Sequence, residues 1–206
     1  MEKFKKDKEQ TKRRLIQAVG EILKNEGYAG LGVNRVAKQA GVNKKLIYRY
    51  FGNLNYLIET YIVENDYWMV FANRKQDLID QQSLSNVKEM IAEVLQDQFK
   101  FFLSQPGMQK LILWEISSKE PLLESIHKIR ESIGRQLLEM TDEHFKMGNV
   151  NFRAVAALLV GGIYFTILNN KNNGGSFCDL NLRTEKGRDE ILKAIEQIVH
   201  WSFEGS

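Results

Sequence analysis

The sequence predicts an all-α protein, with a three-helix head that carries a helix-turn-helix and a larger helical-bundle body, about nine helices in all. Three observations predict this. Apolar residues recur at three- and four-residue spacing along nearly the whole chain. No stretch of any length alternates apolar and polar residues as a strand would. Residues 33–51, VNRVAKQAGVNKKLIYRYF, hold two short helical stripes joined by a glycine.

The elements follow in order. Residues 1–8 read as a frayed basic arm, and a first helix from about Lys8 to Asn25 carries Leu15, Ala18, Val19, Ile22 and Leu23 on one stripe. Gly27 ends it, and residues 28–32 form a loop. Gly32 stands where a hydroxyl cap would be stronger. Val33, Val36, Ala37 and Ala40 form the next stripe, and Gly41 suits the left-handed residue that ends such a helix. Asn43 is placed to cap the following helix, with Ile47, Tyr50 and Phe51 on its inner side. Asn53 is placed to cap a fourth helix that runs through Leu57, Ile58, Tyr61, Ile62, Tyr67, Trp68 and Phe71 to a polar patch at 74–82. Ser85 is placed to cap a helix through Leu103, which Pro106-Gly107 interrupts. A short helix over about 108–116 precedes one that opens at Pro121 and ends near Gly148. Asn151 opens the very apolar helix Phe152–Leu168, NNKNNGGS at 169–176 reads as a loop, and an amphipathic helix spans about Glu185 to Phe203.

Charge is unevenly placed. Residues 1–52 hold 13 Lys+Arg against 5 Asp+Glu, and residues 53–206 hold 16 against 21. A basic head of net +8 on an acidic body of net −5 suits a polyanion, although a solvated basic face has the same charge. The single cysteine, Cys178, excludes an intrachain disulfide and fits a reducing interior. The charged start lacks the apolar core of a secretory signal. The longest uncharged apolar run, Ala154–Leu168, has 15 residues against the roughly 20 of a membrane helix. A cytoplasmic protein is expected.

On the second helix of the pair, Lys45, Tyr48 and Arg49 point away from Ile47, with Lys44 and Leu46 on the flanks. A buried stripe backed by such residues is the pattern of a DNA recognition helix. Lys44 and Lys45 suit phosphates, and Lys45 alternatively a guanine edge. Tyr48 suits a thymine methyl or a phosphate, and Arg49 a guanine or a phosphate. Tyr50 would bury its ring and offer its hydroxyl to a phosphate. Leu46 would touch a thymine methyl or cover Tyr50. Asn34, Arg35 and Asn43 complete the candidate face.

Taken together, these residues resemble the tetracycline-repressor (TetR) family of bacterial transcriptional regulators. The resemblance rests on Tyr28, on Val36 through Lys44 (VAKQAGVNK), on Ile47 through Phe51 (IYRYF) and on Leu57. It covers about residues 8–60 without a gap. It implies a DNA-binding domain over 1–52 and a ligand-binding and dimerisation domain over 53–206. It further implies a homodimeric regulator, by family default a repressor, that binds a palindromic double-stranded operator and is released by a small molecule. The last two helices would build the dimer interface, with Ala157, Gly161, Ile191, Ile195, Ile198 and Trp201 as its candidates; the alternative for Phe152–Leu168 is the core helix of a monomer. The chain departs from the family at Gly32, at Lys45-Leu46, where small or hydroxylated residues are usual, and at Gly52 and Leu54, where lysines often reach phosphates. Lys12, Arg13 and Lys45 are available to compensate.

Tyr61, Trp68, Phe71, Phe99, Phe102, Trp114, Tyr164 and Phe165 are spaced either as core or as the lining of a pocket for an apolar or aromatic effector, with His127 and Glu115 as polar groups beside it. An enzyme is the rival reading. Glu124 and His127 have the E-x-x-H spacing of a di-iron helix, but no second such pair occurs. Three scattered histidines and one cysteine make a poor metal set, and no phosphate-cradling glycine loop or nucleophile elbow is present. No catalytic residue, metal or cofactor is expected. A protein-binding helical module is the second rival, against which the basic head argues.

Overall fold

The computed structural model describes residues 2–72, 87–173 and 175–206, with side chains from residue 7 onward except that of Asn172. The helices are α1 (Glu2–Glu26), α2 (Val33–Ala40), α3 (Lys45–Phe51), α4 (Leu54–Asn65), α5 (from residue 67, described to 72), α6 (Val87–Ser104), α7 (Pro106–Ser117), α8 (Pro121–Glu139), α9 (Asp142–Phe145), α10 (Phe152–Asn172) and α11 (Glu185–Glu204), with a 3₁₀ turn at Tyr28–Gly30. Among the described residues there is no strand, only one antiparallel bridge between Phe177 and Leu180. The all-α class expected from periodicity is the one the chain adopts. The expected patch at 74–82 and the Ser85 cap lie outside the described residues.

The chain folds as two compact units, Met1–Val70 with Pro106–Arg130, and Phe71–Gln105 with Glu131–Ser206. The sequence suggests a boundary after residue 52. In packing, the head's unit also takes in α4, α7 and α8 as far as Arg130, because α1 packs on α4 and α7 as well as on α2.

In the first unit, Leu15, Ala18, Val19, Ile22 and Leu23 of α1 are all buried. They share that core with Val36, Ala37 and Ala40 of α2 and Leu57, Ile58 and Ile62 of α4. Each fully buried aliphatic side chain there contributes about 1.5–3 kcal/mol. Helix α1 begins at Glu2, so the arm expected to fray is helical.

The run expected to form one fourth helix is broken at Asp66, whose backbone is extended (φ −81°, ψ 136°). Its buried carboxylate replaces the missing helical bonds: Oδ1 accepts from the N–H groups of Trp68 (3.0 Å) and Met69 (3.3 Å), capping α5. Oδ2 accepts from Arg130 Nε (3.0 Å) and Nη2 (2.7 Å). Arg130 also pairs with Glu115 of α7. One buried guanidinium therefore ties the α4–α5 break, α7 and α8 together.

In the second unit α6 packs on α10 and α11, and Gln96 Nε2 donates to the carbonyl of Leu192 (3.0 Å). Phe145 stacks on Phe152 (4.8 Å between centroids) and meets Phe203 edge-on. The helix expected to reach Gly148 stops at Glu139. The buried Thr141 turns its hydroxyl back to the carbonyl of Leu138 (2.7 Å), and α9 follows as a separate turn. Helix α10 outruns its expected end at Leu168 because the buried Asn170 amide reaches the carbonyls of Gly175 (2.8 Å) and Leu180 (3.3 Å). By length and composition the Phe152–Lys171 segment could cross a membrane; in this fold it packs on α6 and α11.

Replacing Arg130 with Met should leave the buried Asp66 and the half-buried Glu115 without their shared cation. We expect a loss of about 3–5 kcal/mol, read from urea denaturation at pH 7. A loss under 1 kcal/mol would show that the cluster does not hold the unit.

Candidate nucleic-acid interface

The helix-turn-helix is built as its spacing requires. Gly41 adopts the left-handed conformation (φ 62°, ψ 40°). Its N–H donates to the carbonyl of Lys38 (3.1 Å), and that of Val42 to Ala37 (3.0 Å). This pair of bonds closes α2 and swings the chain into α3. Arg14 of α1 braces the turn from behind, donating to the carbonyl of Gly41 (3.1 Å). Asn43 Oδ1 accepts from the N–H of Lys45 (2.9 Å), so the expected cap acts at the first residue of α3. Gly52 (φ 78°) closes α3, and Asn53 caps α4 by accepting from the N–H of Tyr56 (2.9 Å).

Ile47 is fully buried, and Lys45, Tyr48 and Arg49 stand outside it, Tyr48 at 53% exposure. Leu46 and Tyr50 are half-buried. Lys44 Nζ donates to Asn34 Oδ1 (3.2 Å), which joins the outer ends of α2 and α3. Arg35 is exposed but ion-paired with Glu26 at the end of α1. Of the basic residues offered as compensation, Arg13 bonds Glu64 (2.8 Å) and Lys12 pairs with Glu9 (3.3 Å). The exposed side of the pair thus holds Asn34, Lys44, Lys45, Tyr48 and Arg49, with the half-buried Tyr50 at its edge.

The residues expected to line an effector cavity are scattered through both units. The Tyr61 ring fills a slot between two glycines. A Cβ at Gly20 of α1 would lie 2.6 Å from its Cε2, and one at Gly107 of α7 would lie 3.1 Å from its hydroxyl. Trp114 stacks on Tyr28, with ring centroids 3.4 Å apart. Tyr61 is thus a joint between α4, α1 and α7, and Trp114 a joint between α7 and the 3₁₀ turn. His127 is exposed, with Nδ1 3.5 Å from Glu115. Trp68, Phe71 and Phe99 are buried, and Phe102 meets Tyr164 edge-on at 4.7 Å. Phe165 is exposed, edge-on to Phe177. Among the described residues, no three metal-ligating side chains gather at one point.

The sequence reading did not single out Gln98. It is 1% exposed on α6, and among the described residues neither its Oε1 nor its Nε2 has a hydrogen-bond partner. The available signal was a lone amide inside the run of Val94, Leu95, Phe99 and Phe102.

The expected dimer residues lie on α10 and α11. Ala157 and Gly161 are exposed, beside Leu158 at 78%. Trp201 is 59% exposed and Ile198 is exposed, Ile191 is half-buried, and Ile195 belongs to the unit's own core. Leu158, Gly162, Ile163, Ile191, Ile195 and Ile198 help to line a shallow apolar groove of about 400 Å³ between these two helices.

Residues 15–59 match the model for bacterial regulatory proteins of the tetR family. No curated protein matches the chain. Solved structures with the same fold include FadR from Bacillus subtilis in complex with stearoyl-CoA, at 18% identity and a TM-score of 0.67 over 94% of this chain and 98% of that one. The fatty acid degradation regulator FadR from Bacillus halodurans aligns at 16% identity and a TM-score of 0.68, covering 92% and 94%. A TetR family transcription regulator from Marinobacter aquaeolei VT8 aligns at 15% and 0.67, covering 94% and 97%. Over its helix-turn-helix the chain is thus similar to bacterial regulatory proteins of the tetR family. The family match covers the helix-turn-helix, and over the rest of the chain the likeness to these regulators is one of fold.

Burial, and secondarily the charge of Glu21, raises the Tyr61 phenol above its ordinary 10.0. Burial, and secondarily Glu120, does the same for Tyr28. The folded state therefore holds these protons more tightly than the unfolded state. Their contribution is complete below pH 10 and is lost as pH rises through the folded values. Tyr61→Phe should flatten the fall of urea-derived stability above pH 10; an unchanged slope would refute the assignment.

Proposed function

We propose that the protein is a homodimeric repressor that binds a palindromic operator and is released by an apolar effector, and that it has no enzymatic activity. The observation that carries this reading is the exposed arc of Lys45, Tyr48 and Arg49 over the buried Ile47, in a tetR-family head. Tyr48 and Arg49 read base edges, with Lys45 between them and the phosphate of its own strand. Asn34, Asn43, Lys44 and Tyr50 set the register on phosphates, and Leu46 supports Tyr50. Arg35 reaches a phosphate only by giving up Glu26.

The apolar face of α10 and α11 supports the dimer. Ala157, Gly161 and Gly162 permit close approach of a second copy, and Leu158 and Trp201 are large apolar groups with no cover in the chain. Two copies present two recognition helices, which suits a palindrome in the cytoplasm, where the target DNA lies. The operator is obtained by selecting bound duplexes from a random pool. Tyr48→Ala and Arg49→Ala should each weaken it at least tenfold at about 150 mM salt with helicity intact. Leu158→Glu should sediment as a folded monomer. Unchanged affinity in both head variants, or a dimeric Leu158→Glu, would overturn the corresponding half of the proposal.

Release follows if the effector prefers the dimer spacing that DNA does not. The effector has an apolar body and one hydrogen-bonding group for Gln98, whose buried amide otherwise stays unmatched at a cost of about 1–3 kcal/mol. Phe71, Phe99, Phe102 and Tyr164, of the same unit as Gln98, are the apolar contacts proposed for it. Long acyl thioesters are the first class to test, since the Bacillus subtilis FadR of the same fold holds one. Stearoyl-CoA should raise the melting temperature and release the operator together. Gln98→Leu should raise the melting temperature of the free protein and weaken the response about tenfold. Stabilisation without release would reject the switch, and an unaltered response in Gln98→Leu would reject the role of that residue.

A further inference from the structure

We propose that the polar end of the effector is a neutral carboxamide edge, one N–H and one C=O side by side, that pairs with both unmatched atoms of Gln98. The proposal rests on the effector reading above and narrows the chemistry of that one site. Three observations carry it.

First, Gln98 is the exception among the buried polar side chains described in its unit. Thr141 turns its hydroxyl to the carbonyl of Leu138 (2.7 Å), and Ser202 to that of Ile198 (2.7 Å). Asn170 donates to the carbonyls of Gly175 and Leu180. Gln98, at 1% exposure, has no such bond among the described residues. Second, it lacks a partner on both sides of the amide, at the acceptor Oε1 and at the donor Nε2. Third, its surroundings are apolar and hold no buried charge. Ile91, Val94, Leu95 and Phe102 share its face of α6 and are buried, and Phe102 meets Tyr164 of α10 edge-on. The buried Asp66 and Arg130 belong to the other unit.

These observations select among polar groups. A primary carboxamide carries its carbonyl and one N–H on the same edge, so a second such edge closes two hydrogen bonds at once. Turning the Gln98 amide over exchanges its two atoms and leaves that requirement unchanged. A thioester carbonyl only accepts, so it meets Nε2 and leaves Oε1 without a donor. A trans secondary amide turns its N–H and C=O to opposite edges and meets one atom. An ionised carboxylate has no donor, and it brings a charge to a place with no buried counter-charge among the described residues.

The test uses the full chain and four probes with one ten-carbon body: decanamide, N-methyldecanamide, S-methyl decanethioate and decanoate, which is ionised at about pH 7.5. Affinities are read by titration calorimetry. Decanamide should bind the natural chain at least tenfold more tightly than each of the other three. In Gln98→Leu that preference should shrink below twofold, because the apolar body still binds and the edge has lost its partner. Decanamide no tighter than the others, a preference that survives in Gln98→Leu, or binding of stearoyl-CoA without binding of decanamide would overturn the carboxamide edge. If neither stearoyl-CoA nor any of the four probes binds, the apolar effector itself is rejected and this refinement falls with it.

Discussion

The seating of α3 on α4, which itself packs on α1, is the constraint on which the head depends. Helix α3 has seven residues, Lys45–Phe51, too few to be helical alone in water. It holds its shape because Ile47 is buried and because Gly41 and Gly52 close the turns on either side. The outward aim of Lys45, Tyr48 and Arg49 is the geometric complement of that burial. A change at Ile47 would therefore disturb the exposed arc although Ile47 is no part of it, and the braces from Arg14 to Gly41 and from Lys44 to Asn34 matter for the same reason.

Local chemistry made much of this legible in advance. The 33–51 stretch carries its own stripe, its own left-handed glycine and its own asparagine cap, all within five residues of the bonds they form. The Asn53 and Asn151 caps were legible for the same reason. The break at Asp66 was not. Apolar spacing continues on both sides of it, so periodicity cannot reveal an interruption, and what fixes the break is Arg130, 64 positions away. The extra length of α10 depends likewise on a side chain, Asn170, that reaches carbonyls beyond the helix. In the candidate site, the exposed arc of α3 followed from helical geometry alone. The aromatic residues did not sort into core, joint and surface, because Tyr61, Phe102 and Phe165 have the same spacing signature and opposite environments.

That sorting changes how the body is read. Tyr61 and Trp114 belong to joints. One fills the slot left by Gly20 and Gly107, and the other stacks on Tyr28. The first fixes α4 to α1 and α7, and the second fixes α7 to the 3₁₀ turn. Gln98 is the opposite case, a buried group whose bonding capacity is unused. A polar group kept in an apolar interior without a partner costs stability in the free protein. It is more informative about a missing ligand than a buried phenylalanine, which is satisfied by packing alone.

The joints also bear on how an effector could act. Helices α1, α2, α4 and α7 lie in one compact unit, closed by Lys110 donating to the carbonyl of Asn25 (2.9 Å) and by the Asp66–Arg130–Glu115 cluster. Melting α3 in place would require unburying Ile47 while its neighbours stay packed. A release mechanism of the kind proposed above therefore has to keep this unit folded, because opening it exposes the core that seats α3.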